Sequence, residues 1–426
     1  MESVYLALLL FQFGIGALYI GYNGGIQKHT YFSFCLTLYF FYLWLAGFNT
    51  WSGNKMVTGN FSIEDIFDEG LLYYNIALFF FILGYILGRT WHKPFPFFRQ
   101  ERPFNDKALI QMTIVFLILN YAFRFTNTGI EGSLETYLFL TQDFLIILTI
   151  GVYSRKLNSW FFYFTLASSI FLFSSNFFRY RIILTLLGIG LIYIKRNPEI
   201  LKKIGKYLVI LTAATYAILF FTVNRKPLAD NDLESVRFNL LDPDPNLERT
   251  VSSEGSNLAT DFMVLKLYRD DPSYPHDFGK TMFVFPFIRA LPGNLFPGGI
   301  KPYPPSLTTI IDAYGGTREA ANAGRAVTNV VELYIAFGWP GTIFFMFIFG
   351  ILLKSLQNRW VMDGSFNELL QIAILVSLFQ YITRGYFPQY LTHISYLIVP
   401  VFLLRRLSRN ENPERIVYRS QVPAKP

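Results

Sequence analysis

Apolar residues in this chain come in blocks about twenty long, separated by short polar clusters. A helix needs roughly 20 consecutive apolar residues to cross a bilayer core. Eleven blocks meet that description, near 4–22, 30–48, 70–88, 108–124, 137–153, 159–175, 180–194, 207–223, 328–353, 368–384 and 387–404. In lipid the backbone must bond internally, so these are expected to be helices; a barrel would show shorter alternating strands. The fifth to seventh are the weakest, because Asp143, Arg179 and Arg181 interrupt or flank them. With 52% apolar and only 15% charged residues, disorder is excluded and an ordinary cytosolic globule is disfavoured. The expected class is an all-α polytopic integral membrane protein with about 11 transmembrane helices.

Basic residues give the expected orientation. Arg89, Lys93, Arg99, Arg102 and Lys107 lie in one loop, Arg155 and Lys156 in another, and Lys195 to Lys206 in a third. The tail carries Arg405, Arg406, Arg409, Arg415 and Arg419. All fall on one side if eleven helices alternate. The opposite short loops hold Glu64, Asp65, Asp68 and Glu69, or Glu131 and Glu135. The N-terminus is therefore expected outside and the C-terminus in the cytoplasm of a multi-pass membrane protein. The net charge of +8 is read as this topology signal, so nucleic acid is not an expected partner. The first helix lacks a basic leader and a small-residue cleavage site, and is expected to stay.

The expected organisation is a helical membrane bundle over 1–223, an extracytoplasmic loop over 224–327, C-terminal helices over 328–404 and a basic tail over 405–426. The loop mixes 11 Lys/Arg with 13 Asp/Glu. A structureless loop of that length is uncommon, so it is expected to fold in part and carry function. Within it, 230–261 is polar and expected to be mobile. The stretch 281–300, TMFVFPFIRALPGNLFPGGI, is expected at the membrane surface.

One cysteine, Cys35, and four histidines, His29, His92, His276 and His393, offer no zinc spacing or internal disulfide. No metal or cofactor is expected. Ionisable groups at the edge of a span read as functional by default. Arg124, Arg179, Arg181, Arg225, Arg289, Arg325 and Arg384 gather toward the outer face, where the positive-inside rule disfavours arginine. Guanidinium binds phosphate through a planar fork, whereas headgroup snorkelling is the bland alternative. Glu332 lies near the outer end of the ninth span with Asn329 on the same helical face. It is a candidate general base, weighed evenly against an ion pair with one of those arginines. Asp143 is weighed likewise. His276 is a possible loop base, with solvation the commoner outcome, and His393 is expected to be a satisfied polar group. Gly338, Pro340 and Gly341 should kink the ninth helix. The Gly-rich stretch 313–325 matches no phosphate-loop pattern, and a simple turn at Gly315 and Gly316 is expected.

PPSLTTIIDAYGG at 304–316 and NVVELYIAFGWPGTIFFMFIFG at 329–350 resemble the bacterial oligosaccharide repeat-unit polymerases, the O-antigen polymerase or Wzy-type family. The matching features are a Pro/Ser/Thr segment leading to glycines, then Glu332, Tyr334, Phe337, Gly338 and Gly341. SNFFRYRIILTLLGIGLIYI at 175–194 resembles the family's arginine-bearing middle helix.

The resemblance implies glycosyl transfer on the outer face of the cytoplasmic membrane, in a fold like the class C glycosyltransferases. Donor and acceptor would be undecaprenyl-pyrophosphate-linked glycans, with a chain-length regulator and a flippase of the same pathway as partners. Glu332, Arg325 and Arg289 would be catalytic. Arg179, Arg181, Arg225, Arg384, Arg124, Asn329, Tyr334 and His276 would bind substrate. The alternatives are an O-antigen ligase using the same donor, and a lipid-linked glycan flippase. YPHDFG around His276 lacks the Asn expected beside a ligase histidine, and no internal repeat supports a transporter.

Overall fold

The computed structural model describes residues 4–52, 57–58, 61–88, 105–125, 141–175, 179–197, 256–291, 293–316, 326–357 and 365–408. It shows an all-α polytopic membrane protein. In chain order the helices are α1 (Val4–Tyr22), α2 (Thr30–Ser52), α3 (Phe67–Leu87), α4 (Asp106–Phe125), α5 (Gln142–Ser154), α6 (Ser159–Ser175) and α7 (Arg179–Arg196). There follow α8 (Ser256–Asp270), α9 (Phe285–Ala290), α10 (Pro305–Ala313), α11 (Asn329–Gln357), α12 (Phe366–Arg384) and α13 (Phe387–Ser408). Seven of the described helices, α1–α4 and α11–α13, are long and apolar enough to cross a membrane; α5 and α6 are apolar but shorter. Ten of the eleven expected segments coincide with helices, and the eighth, 207–223, lies outside the described residues.

Two compact units form. One comprises Met1–Phe98, Tyr193–Trp360 and Ile374–Ile394, the other Arg99–Ile192, Val361–Ala373 and Ser395–Pro426. In the first, α3 and α11 run side by side in the same direction. Tyr73 meets Val330 and Thr342 near their starts, and Gly88 meets Ile351 and Lys354 near their ends. Lipid supplies no hydrophobic drive between helices, so close packing must hold them. Gly84 lies against the Phe347 carbonyl and Gly350 against the backbone of Phe81 and Tyr85, where any Cβ would collide. At the other end of the pair, Phe32 stacks on Tyr85 at 4.0 Å. Lys354 sits over the rings of Tyr19 and Tyr85.

The expectation for 230–261 is revised at its end. Residues from Ser256 are helical, because Leu258, Phe262 and Leu265 recur at helical spacing and all three are buried. Phe262 packs directly on Gly70 of α3. The part before 256 lies outside the described residues.

In the second unit, α4, α5, α6 and α7 pack around a buried polar core. Arg181 is 1% exposed; its Nε donates to Asp143 at 2.6 Å and its Nη1 to Gln142 at 2.5 Å. Tyr180 donates to the same carboxylate at 3.2 Å. Ser154 donates to the buried Glu368 at 2.9 Å.

Candidate active site

The first turn of α11 is the hub of the candidate site. Thr328 precedes the helix, and the amide of Glu332 donates to its carbonyl at 3.0 Å. Asp261 of α8 accepts from the Thr328 amide at 2.8 Å, from the Thr328 hydroxyl at 2.7 Å and from Tyr74 of α3 at 2.5 Å. A carboxylate at this place complements the positive end of α11. Asp261 is fully buried, and burial pushes its pKa up to about 7 despite these three donors, which pull the other way.

Glu332 makes a similar contact with the next element. It is 1% exposed, and both carboxylate oxygens receive the Phe387 amide, at 2.9 and 3.2 Å. Phe387 opens α13, and the following Pro388 has no amide hydrogen, so Glu332 satisfies the one donor at that step. Of the two readings weighed from sequence, the ion pair does not occur with any described arginine. The turn before Phe387 is drawn close by Gly385, whose φ is +55°, and a Cβ there would lie 2.6 Å from the Thr328 carbonyl oxygen. Asp261, Thr328, Gly385 and Glu332 therefore lock three elements at one point.

Arg289 joins that point from α9. Its guanidinium lies 5.8 Å from the centre of the Tyr386 ring, a cation–π contact, and it is half-buried. It has no ion pair among the described residues. Burial raises the Tyr386 phenol, while Arg289 opposes the shift. Arg384, two residues earlier, is exposed. Asn329 is fully buried, and its amide donates to the Tyr39 hydroxyl at 2.8 Å. In this conformation it braces α11 against α2 and faces no solvent.

The expected kink forms at Gly338, with φ 64° and ψ −161°. It has a consequence not legible in the sequence. The Ile335 carbonyl accepts from the Asp277 amide at 3.0 Å and from His276 Nδ1 at 3.3 Å. A carbonyl only accepts, so in the neutral ring Nδ1 carries the proton and Nε2 remains an acceptor. The imidazole stacks on Tyr268 at 4.7 Å and meets the Tyr334 edge at 5.6 Å. Its other neighbour is Gly338, where a Cβ would come within 3.1 Å of Nε2. His276 is thus half-buried and built into place, not a solvated loop histidine as expected. Tyr334 also meets Tyr73 at 5.1 Å and Trp339 at 6.3 Å, which completes an aromatic cluster. His393 is buried beside Gln389, as its reading required.

Arg181 is committed to Asp143 and Gln142. Arg124 lies in the last turn of α4, and Arg179 opens α7. Arg225 and Arg325 lie outside the described residues. Sequence reasoning missed Asp261, Thr328, Gly385 and Asp277. For Asp261 a signal existed, an acid set inside the apolar stripe of Leu258, Phe262 and Leu265. Asp277 holds the amides of Gly279 and Thr281, a local turn invisible to spacing rules. No group of three or more His, Cys, Asp or Glu among the described residues is placed to hold a metal ion.

Residues 318–407 match the family described as O-antigen polysaccharide polymerase Wzy. The matched segment contains Glu332, Tyr334, Gly338, Arg384, Gly385 and Tyr386, that is, the hub and its turn. The resemblance to the Wzy-type polymerases is therefore supported over that segment. No curated protein and no solved structure matches the chain.

Proposed function

We propose that this protein polymerises undecaprenyl-pyrophosphate-linked oligosaccharide repeat units by glycosyl transfer at the outer face of the bacterial inner membrane. The observation that carries the proposal is the family match over the segment that holds the hub. A second feature supports it. Arg289 is half-buried beside the Tyr386 turn and makes no ion pair among the described residues, so its fork can meet a departing diphosphate. Arg384 stands exposed on the same turn. The aromatic cluster of Tyr334, Trp339 and His276 offers faces on which sugar rings stack, and Nε2 of His276 can accept from a hydroxyl.

Glu332 holds the turn in the conformation described. As general base it must exchange the Phe387 amide for the acceptor hydroxyl. Glu332→Gln separates the two roles, because the amide oxygen still accepts from Phe387 while proton uptake is lost. Arg325, Arg225, Arg179 and Arg124 remain proposed contacts for the lipid pyrophosphate. Metal-independent transfer, partnership with a chain-length regulator and flippase, and the division at 224–327 and 328–404 belong to the same proposal. So does the orientation with the N-terminus outside. Eleven alternating spans make the third and ninth run the same way, and the parallel course of α3 and α11 agrees with that parity.

Purified protein incubated with a lipid-linked repeat unit should yield longer products without added nucleotide or metal. In cells, Arg289→Ala and Glu332→Gln should leave single repeats and no ladder. Normal ladders in both would overturn the site. Loss of every glycan form, including the single repeat, would favour a flippase or ligase instead.

A further inference from the structure

Residues 278–303 turn apolar side chains both inward and outward. Inward, Met282 and Phe285 are buried with Thr281. Outward, Phe278 and Ile300 are each 75% exposed and Phe287 is 74% exposed, with Phe283, Leu295 and Tyr303 also on the surface. A water-facing connection would carry polar groups there, and a contiguous exposed apolar patch marks a contact surface. The charges in the segment have one sign. Lys280, Arg289 and Lys301 are present and no Asp or Glu is. Lys301 donates to the Arg289 carbonyl at 2.8 Å, which draws two of these cations together.

What covers the patch follows from its continuation. The Phe283 ring lies 6.5 Å from Phe337 of α11, and Phe337 stacks on Phe345 at 5.0 Å. The neighbouring Phe344 is 57% exposed on a helix long and apolar enough to span the membrane. The outward face of 278–303 thus runs on into the lipid-facing side of α11. We propose that this segment is an interfacial anchor. Its outward rings and Ile300 insert into the bilayer leaflet at the end where α11 begins, and Lys280 and Lys301 meet the anionic headgroups of that leaflet. The anchor fixes the depth of Arg289, and with it the Tyr386 turn. The inference rests on the membrane-spanning helices alone, so it stands or falls apart from the polymerase proposal.

The only cysteine, Cys35, is buried, which leaves a clean background for site-directed labels. Full-length protein carrying Phe283→Cys, Phe287→Cys or Ile300→Cys, and Ser273→Cys as the exposed control, is labelled with a nitroxide. It is then reconstituted in vesicles of phosphatidylcholine and phosphatidylglycerol. Collisions with oxygen should exceed those with a water-soluble nickel chelate several-fold at 283, 287 and 300, and the order should reverse at 273. Nickel access at all three matching that at 273 would overturn the anchor. So would protection from both agents that grows with protein density, since a second copy would then cover the face. Unsubstituted protein gives an independent reading. A lipid carrying a photoreactive group near its headgroup should label peptides within 278–303 and spare the 271–276 turn, and the opposite pattern would refute the proposal.

Discussion

Both compact units bury acids, and Asp143 in one meets a different kind of partner from Asp261 and Glu332 in the other. In one, Asp143 faces the guanidinium of Arg181, and both are 1% exposed. In the other, Asp261 and Glu332 face a phenol, a hydroxyl and backbone amides, with no cation paired to either among the described residues. A salt bridge in low dielectric holds both charges together, and removal of one leaves the other uncompensated. Neutral donors stabilise an anion without demanding one. The first arrangement is suited to fastening helices. The second leaves acids whose proton occupancy can change, and it lies beside the half-buried Arg289 and the aromatic cluster. In the proposed transfer the proton chemistry falls to Glu332.

The comparison can be tested from its strongest contrast downward. Arg181→Met should destabilise the protein by about 3–5 kcal/mol, measured as thermal stability in detergent. Adding Asp143→Leu should restore part of the loss, and no restoration would mean that the loss does not come from the uncompensated Asp143 charge. Next comes Asp261. Its pKa is about 7 in the folded protein, against about 4 for an unfolded aspartate. The native state therefore holds the extra proton between those values. That contribution is fully present below about pH 4 and is lost as pH rises through about 7. Stability should fall by a few kcal/mol across the window, and Asp261→Asn should flatten the slope.

Gly338→Ala should cost about 1–3 kcal/mol, because backbone at φ 64° and ψ −161° is essentially limited to glycine and His276 must move. Glu332→Gln should change stability by less than about 1 kcal/mol, since the Phe387 bond survives, while polymerisation drops about 10²-fold or more. A larger stability loss with intact ladders would make Glu332 a purely structural brace. The smallest effect is expected at Asp65. Lys266 and Arg269 hold its pKa down to about 2 on an exposed surface. Its contribution is present above about pH 4 and lost as pH falls through about 2. Asp65→Asn should cost under about 1 kcal/mol.

The spans were legible because twenty apolar residues in a row admit few structures in lipid. The kink at Gly338 was legible as well, from glycine and proline placed together inside a span. Glu332 stood out as an acid in an apolar helix, yet its partner did not. The Phe387 amide lies 55 residues away and carries no side-chain signature. His276 was misjudged because its environment is made by Tyr268, Tyr334 and a carbonyl freed from regular helix bonding. Asp261 was passed over because the polar stretch before it masked the onset of a helical stripe.

Periodicity and hydropathy by themselves determined the class, most helices and the break in α11, because these depend on each segment's own solvation. Tertiary structure alone decided which acid meets a cation and which meets neutral donors. That choice depends on where helix ends converge, and backbone amides, which every residue but proline supplies, do much of the pairing there.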